Sequence, residues 1–587
     1  MDEITERIDE DRYRKGVVPL NVGVTGHRDL VEREVPSIRE RIRSLFEFLQ
    51  SRFPDRPLRI LSPLAEGADR LVAEVAYELG LEVTVVLPMP EDLYRADFET
   101  EESRHEFSRL SGRAIEFLEL PVIDGASLEE LARPGECRNR QYAQLGVFLC
   151  AHSHVLLALW DGKPSTEIGG TAQVVRFHHY DVMEGLGSDG GVSQQFLADE
   201  DGDLVYQIVV SRDREGGAPR GGLKPLDAFW LTTDEKAPKT ESFPQQYADI
   251  FDRTARFNRD VREHAREILA ERYSLVDDPP RVKLPISILR INRFFCAADW
   301  LAIHYQQKFV STLRYSHACV FLMALMFLLY SDLVASAMFM MSFAVFLVVS
   351  YGVQIVAARG RWQEKYLEYR TLAEGLRVQF YWAAAGVTSG NVTKYAHDNF
   401  LQMQDAELGW IRNVMRVAGI ACDVAPLRDP AGLAFVIHDW IGSESRSGQL
   451  KYYRSKASQH LAKRARNDRF SKLAGGVSLL LLLGGAVAPT NDIRTVMLVS
   501  LGVLLVTVSL REAYAYRIAE KDVIKQYEFM FRIFRNARKR LAQAATDRDR
   551  RRILRILGEA ALDEHAEWIL MHRERPLSES QSWWMEV

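Results

Sequence analysis

The 587-residue chain has only five cysteines, and no two of them form a C-x-x-C pair. Cys137, Cys150, Cys296, Cys319 and Cys422 are scattered singly, which excludes a disulfide framework, argues against a structural zinc site and fits a reducing compartment. No metal is expected. A basic excess is missing as well. Lys and Arg number 75 against 80 Asp and Glu, a formal charge of −5, so charge gives no reason to expect nucleic acid as a partner. The first residues are acidic and polar and lack the basic-then-apolar pattern of a cleaved signal peptide. Long apolar runs, by contrast, are plentiful.

Residues 318–358 are almost uninterruptedly apolar, broken mainly at Ser331-Asp332. At about 1.5 Å per residue this is too long for one helix across a hydrocarbon core about 30 Å thick, and long enough for two. The first helix is expected to begin around Phe309, with Arg314 and Tyr315 at headgroup level. A second hairpin is expected over 473–510, its halves 473–488 and 495–510 flanking Pro489-Thr490-Asn491-Asp492. Cations gather at the outer ends: Arg359, Arg361 and Lys365 after the first hairpin, Lys463, Arg464, Arg466, Arg469 and Lys472 before the second, and Arg511 and Arg517 after it. The tips carry only Asp332 in one case and Asp492 with Arg494 in the other. The positive-inside rule then predicts four spans in the inner (cytoplasmic) membrane, with both termini cytoplasmic. The spans hold no mid-helix Asp, Glu, Lys or Arg, so nothing marks a proton relay. The competing reading is a helical hairpin buried in a soluble protein. Mean hydropathy is slightly negative, so most of the mass outside the spans must be polar.

The N-terminal third alternates short apolar runs with helical patterns, the signature of a parallel α/β sheet. Strands are expected at 20–25, 58–62, 83–87, 114–120 and 155–160, with helices at 36–52, 68–79 and 138–151, and another opening at Gly169-Gly170-Thr171 and ending near His178. Polar and glycine residues follow the strands: Thr25-Gly26-His27-Arg28 after the first, Glu66-Gly67-Ala68-Asp69-Arg70 after the second, and Asp161-Gly162 after the fifth. In an open parallel sheet these carboxyl ends share one edge, where ligands bind. Glycines let backbone approach a phosphate, and helix N-termini favour its charge. The candidate ligand-binding set is therefore Thr25, Gly26, His27, Arg28, Glu66, Gly67, Ala68, Asp69, Asp161, Gly169, Gly170 and Thr171. His27 can touch a phosphate or cap its turn, and Tyr94 and Phe98 can stack on a base or pack. His178-His179 lacks partners at metal-ligand spacing, which leaves solvated or dipole-facing histidines as the expectation.

GVTGHRDL at 23–30, SPLAEGADRLVAEVA at 62–76 and ALWDG…GGTAQVV over 158–175 resemble the SLOG superfamily. That is the Rossmann-like group with DprA, the cytokinin-activating LOG proteins and the nucleotide-sensing region of melastatin-type TRP channels. The resemblance covers roughly the first third of the chain. It implies that Thr25, Gly26, Gly67, Gly170 and Thr171 approach a nucleotide, with Arg28, Asp69 and Asp161 as polar candidates. Enzymatic LOG proteins carry P-G-G-x-G-T-x-x-E; here the segment reads Ile168-Gly169-Gly170-Thr171-Ala172-Gln173-Val174, without the Glu. Binding without turnover is therefore expected, and no catalytic residue is assigned.

The implied organisation is a SLOG-like α/β domain over 1–180, a β-rich extension over 181–240 with glycine-rich loops at 185–191 and 215–222, and a helical linker over 241–315. Hairpins at 316–358 and 473–510 are separated by a helical region, 359–445, and a basic helix, 446–472, and helices occupy 511–587. Helices are expected at 292–315, 362–382, 395–415, 511–541 and 552–570, with a break at 425–430. The order of cytoplasmic helix, hairpin and amphipathic helix occurs twice and resembles the two-span SLATT effector modules; YLEYRTLAEGLR at 366–377 is the stretch most like them. The basic run 532–555 reads as a helix face near anionic lipid. The function expected is a cytoplasmic nucleotide sensor, for ADP-ribose, NAD or a cyclic nucleotide, controlling a homo-oligomeric channel or pore in a lipid bilayer. The alternatives are a membrane-anchored nucleotide N-glycosidase and a scaffold whose sheet has lost its ligand.

Overall fold

The computed structural model describes residues 17–573 except 124, 181–182, 184–203, 235, 277–281, 388–399, 402–405, 425–426, 428 and 446. The loop expected at 185–191 and parts of the 395–415 helix and the 425–430 break lie outside the described residues. Two compact units are present, Met1–Ala297 with Leu372–Gly432, and Ala298–Thr371 with Leu433–Val587.

In chain order the first unit runs β1 (Leu20–Gly26), α1 (Val35–Arg52), β2 (Leu58–Ser62), α2 (Ala68–Glu78), β3 (Glu82–Leu87), α3 (Glu91–Arg95), α4 (Glu101–Ser111), β4 (Glu116–Glu119), α5 (Leu128–Leu131), α6 (Glu136–His152), β5 (Val155–Trp160) and α7 (Thr171–Tyr180). It continues through β6 (Val205–Val209), β7 (Ala228–Leu231), β8 (Lys239–Thr240), α8 (Gln245–Glu263) and α9 (Ala265–Glu271). All eight strands form one sheet in the order β4-β3-β2-β1-β5-β6-β7-β8. Strands β1 to β6 pair in parallel, while β7 and β8 are antiparallel. Leu20 to Thr25 are all buried because β1 is central and covered on both faces. The chain winds outward from β1 to β4 and then from β5 to β6 on the other side. The reversal falls between β1 and β5, where Thr25 pairs with Ala158 and Gly26 with Leu159.

Helix α6 packs Ala143, Val147 and Cys150 against Leu156, Ala158 and Val174. Tyr94 and Phe98 realise the packing role: their rings meet edge-on at 5.2 Å beside Phe107 and Leu110. The segment expected as a linker includes α8, which docks on the sheet. Asn258 accepts from Val18 N at 2.8 Å and donates to Val18 O at 3.0 Å, and Phe251 meets Phe53 edge-on at 5.3 Å. His178 departs from the solvated expectation; it is buried, and burial pushes its pKa down to about 3, so it is neutral.

The remaining helices are α10 (Ile286–Asp332), α11 (Ala337–Arg359), α12 (Trp362–Ala385), α13 (Gly409–Val424), α14 (Pro430–Val436), α15 (Gly448–Ala486), α16 (Asn491–Arg517), α17 (Glu520–Gln543) and α18 (Asp547–Arg573). Four segments are long and apolar enough to cross a membrane: Ile286–Asp332, Ala337–Ala385, Gly448–Ala486 and Asn491–Arg517. The fold is thus an α/β Rossmann-like domain on a mostly parallel sheet, followed by an all-α region with four long apolar helices. Their apolar side chains point outward. Val348 and Leu480 are each 70% exposed, the inverse of a soluble core and what hydrocarbon solvent requires. A hairpin buried in a soluble protein does not fit that pattern.

Boundaries differ from expectation at several points, and the basic helix expected at 446–472 runs unbroken into the second hairpin as α15. The 292–315 helix and the first span are one 47-residue helix, and the break falls after Asp332, where Ser336 caps α11 by accepting from Met338 N at 3.3 Å. The stretch 511–541 is two helices, because Ala519 adopts φ +51°, a left-handed conformation costing a non-glycine residue about 1 kcal/mol. No glycine or proline marks that break. Ala519 is buried there, and Glu520 lies 3.7 Å from Lys463 on α15, so tertiary packing sets it.

If Val348 faces hydrocarbon at mid-helix, Val348→Arg should cost about 2.5–3.5 kcal/mol of insertion. A glycosylation-mapping insertion assay should show a reduced membrane-inserted fraction; unchanged insertion would place Val348 away from lipid.

Candidate functional site

A cavity of about 750 Å³, within the size range of small-molecule pockets, opens at the carboxyl ends of β1 and β5. Its position follows from topology, since loops leaving β1 and β5 diverge at the point where the winding reverses. Nine of the twelve predicted residues line it: Thr25, Gly26, His27, Arg28, Asp69, Asp161, Gly169, Gly170 and Thr171. Glu66, Gly67 and Ala68 do not. They brace the first loop instead: Ala68 N donates to His27 O at 3.1 Å, and Glu66 accepts from Ser103 Oγ. Gly67 has φ +77°, and a Cβ on it would lie 2.2 Å from Arg28 O. Only glycine allows that approach.

On the β5 side, His27 Nε2 accepts from Asp161 N at 3.2 Å, the turn-capping role of its two alternatives. Burial holds the His27 pKa below its ordinary value despite the Asp161 carboxylate, so the ring is neutral. Asp161 is itself a turn organiser, accepting from Lys163 N at 3.0 Å through its side chain and from Arg220 N at 2.8 Å through its carbonyl. The 215–222 loop is tied to this rim, because Lys163 Nζ donates to Gly216 O at 2.8 Å. Arg212 holds Asp29 through Nε at 2.8 and 3.0 Å.

Helix α7 opens onto the cavity after Gly169, whose φ is +76°. Gly170 N bonds Glu167 O at 3.0 Å, and Gln173 Oε1 accepts from Gly169 N at 3.3 Å. Among the described residues, the N–H groups of Thr171 and Ala172 have no acceptor. These are the first-turn donors that an α-helix leaves free, with the positive end of the dipole behind them.

The rest of the lining includes Asp97, Arg138 and Tyr142, which sequence reasoning missed as a group. Asp97 accepts from Arg138 at 2.7 Å and from the Tyr142 hydroxyl, and Arg138 also donates to Leu93 O at 3.0 Å. Arg138 and Tyr142 are one turn apart at the start of α6, a polar pair that could have been noticed there. Arg28 makes no salt bridge among the described residues, and its guanidinium lies 5.8 Å from the Tyr142 ring. Much of its surface is accessible, and that surface borders the cavity. Asp69 is only 5% exposed, and its Oδ1 has no hydrogen-bond partner. The Tyr94 hydroxyl, fully buried at the cavity wall, has none either. Burial pushes the Asp69 carboxyl up to about 7, against the pull of Arg28 and Arg70.

The arrangement can therefore hold an anion at Thr171-Ala172 and Arg28, while presenting unpaired polar atoms at Asp69 and Tyr94. Among the described residues no three side chains converge as metal ligands. No family model, curated protein or solved structure matches this chain.

The folded state keeps the Asp69 proton to about pH 7, while the unfolded chain loses it near 3.8. Stability from this site is thus full below pH 3.8 and falls as the pH rises to about 7. Asp69→Asn keeps the shape and removes the ionisation. In the ligand-free protein it should melt close to the parent at acid pH and be more stable at pH 8, by on the order of 2–4 kcal/mol. Equal melting at both pH values would show that Asp69 is not desolvated.

Proposed function

We propose that the chain is a membrane-embedded nucleotide sensor and effector. A nucleotide enters the cavity of the α/β unit, its phosphate against the α7 N-terminus and Arg28, and the four apolar helices carry the response. The observation that carries this reading is the coincidence, at one topological switch point, of helix-terminal N–H groups without an acceptor and an arginine without a salt bridge among the described residues. The SLOG resemblance of the same loops supports it, with ADP-ribose, NAD or a cyclic nucleotide as ligand candidates. The SLATT resemblance and the uncharged spans support a homo-oligomeric channel or pore, since four such helices seldom form a pore within one chain. The flanking cations favour an orientation with both termini in the cytoplasm. The chain passes between its units within α10, within α12 and again within α14, so these three helices are the covalent routes for the signal.

The glycosidase alternative has one observation in its favour, a buried carboxyl at Asp69 able to hold a proton near neutral pH. Base release from NAD would be its signature.

The test uses the full chain in lipid nanodiscs, titrated calorimetrically with NAD, ADP-ribose and cyclic AMP. At least one should bind without base release. Arg28→Ala should weaken that binding about 10-fold or more, and so should Thr171→Pro, which removes one free N–H at a helix position that tolerates proline. In liposomes the same nucleotide should change ion flux. If none binds, the sensor reading fails; if one binds with no effect on flux, the effector half fails.

A further inference from the structure

The part of the cavity lining formed by Asp69 and Tyr94 has a polarity that a phosphate does not satisfy. Asp69 and Tyr94 both line the cavity, and Asp69 Oδ1 and the Tyr94 hydroxyl are deeply buried and lack a partner. Leaving such groups unpaired is costly, and native proteins accept it where something else completes the bonding. Three kinds of group can be weighed. An anion brings only acceptors and leaves the orphan oxygen of Asp69 unpaired. A metal ion is disfavoured by Arg28 beside it, and the next carboxylate, Asp97, is already held by Arg138 and Tyr142. A neutral group with two donors fits, because the orphan Asp69 Oδ1 can accept and a phenol hydroxyl can also accept. The vicinal hydroxyls of a ribose present two such donors on adjacent carbons. A base amine offers its two from a single atom.

We infer that Asp69, with the Tyr94 hydroxyl, reads the ribose hydroxyls of the ligand, so that the cavity selects ribonucleotides over their deoxy counterparts. This rests on the nucleotide reading above and specifies its ligand class. Thr171, Ala172, Arg28, Asp69 and Tyr94 line the same cavity of about 750 Å³, so one molecule can place its phosphate at the helix terminus and its sugar at the carboxyl.

The experiment compares ADP, 2′-deoxy-ADP, 3′-deoxy-ADP and inosine diphosphate on the full chain in nanodiscs. The parent should bind ADP about 10-fold or more tighter than either deoxy analogue, as expected when a buried acceptor is left unpaired. Asp69→Asn should shrink that ratio below about 3-fold while leaving 2′-deoxy-ADP affinity nearly unchanged. Tyr94→Phe, whose ring packing is retained, should shrink it in part and serves as the second variant. If ADP and its deoxy analogues bind the parent equally, the inference is overturned while the nucleotide reading stands. Weak binding of inosine diphosphate that Asp69→Asn relieves would place the base amine at Asp69 and overturn it too. If no adenine nucleotide binds, the parent reading fails and takes this one with it.

Discussion

The reversal of winding between β1 and β5 is the constraint from which the rest of the first unit follows. Parallel strands send their connections to the same edge, and at the reversal neighbouring connections leave toward opposite faces. The gap between them cannot be closed by main chain. What lines it is whatever follows β1 and β5 and whatever begins α6 and α7. The braces behind the gap are packed to glycine tolerance, with Gly67 against the Arg28 carbonyl and Gly26 against Ala68. Close packing behind the cavity keeps it open in front, because the loops have no room to fall back.

Polar groups around the cavity are unevenly satisfied, and the contrast is informative. Asp29, Asp97 and Asp161 each have named partners and act as structural anchors. Asp69 Oδ1 and the Tyr94 hydroxyl have none, although they are as deeply buried as any. A fold that satisfies three carboxylates so fully and leaves one with an orphan oxygen is spending stability at that point, as binding sites commonly do.

The second unit solves the opposite solvation problem. Its long helices satisfy their backbone internally and turn apolar side chains outward, an arrangement stable only where hydrocarbon replaces water. At their polar ends the contacts become specific: Asp299 pairs with Arg370 at 3.0 Å, Lys365 reaches the Tyr305 hydroxyl at 3.1 Å, and Trp440 meets Phe534 edge-on at 5.7 Å. Apolar surface thus selects the medium, and polar and aromatic contacts select the helix partners.

Strands β1 to β5, helices α1, α2, α6 and α7 and both apolar hairpins were legible in the amino-acid sequence because periodicity and run length are local properties, whereas the short helices α3 to α5 were not. The edge carrying Thr25, Asp161 and Gly169 was legible for the same reason, since a strand end is a local event. Adjacency misled at Glu66-Gly67-Ala68, where the turn into α2 leaves Asp69 at the cavity and uses its neighbours as braces. The Arg212–Asp29 pair, 183 residues apart, and the left-handed turn at Ala519 had no local signal at all. Which carboxylate goes unpartnered was decided by tertiary structure alone. Desolvation depends on every neighbour in space, and no window of sequence contains them.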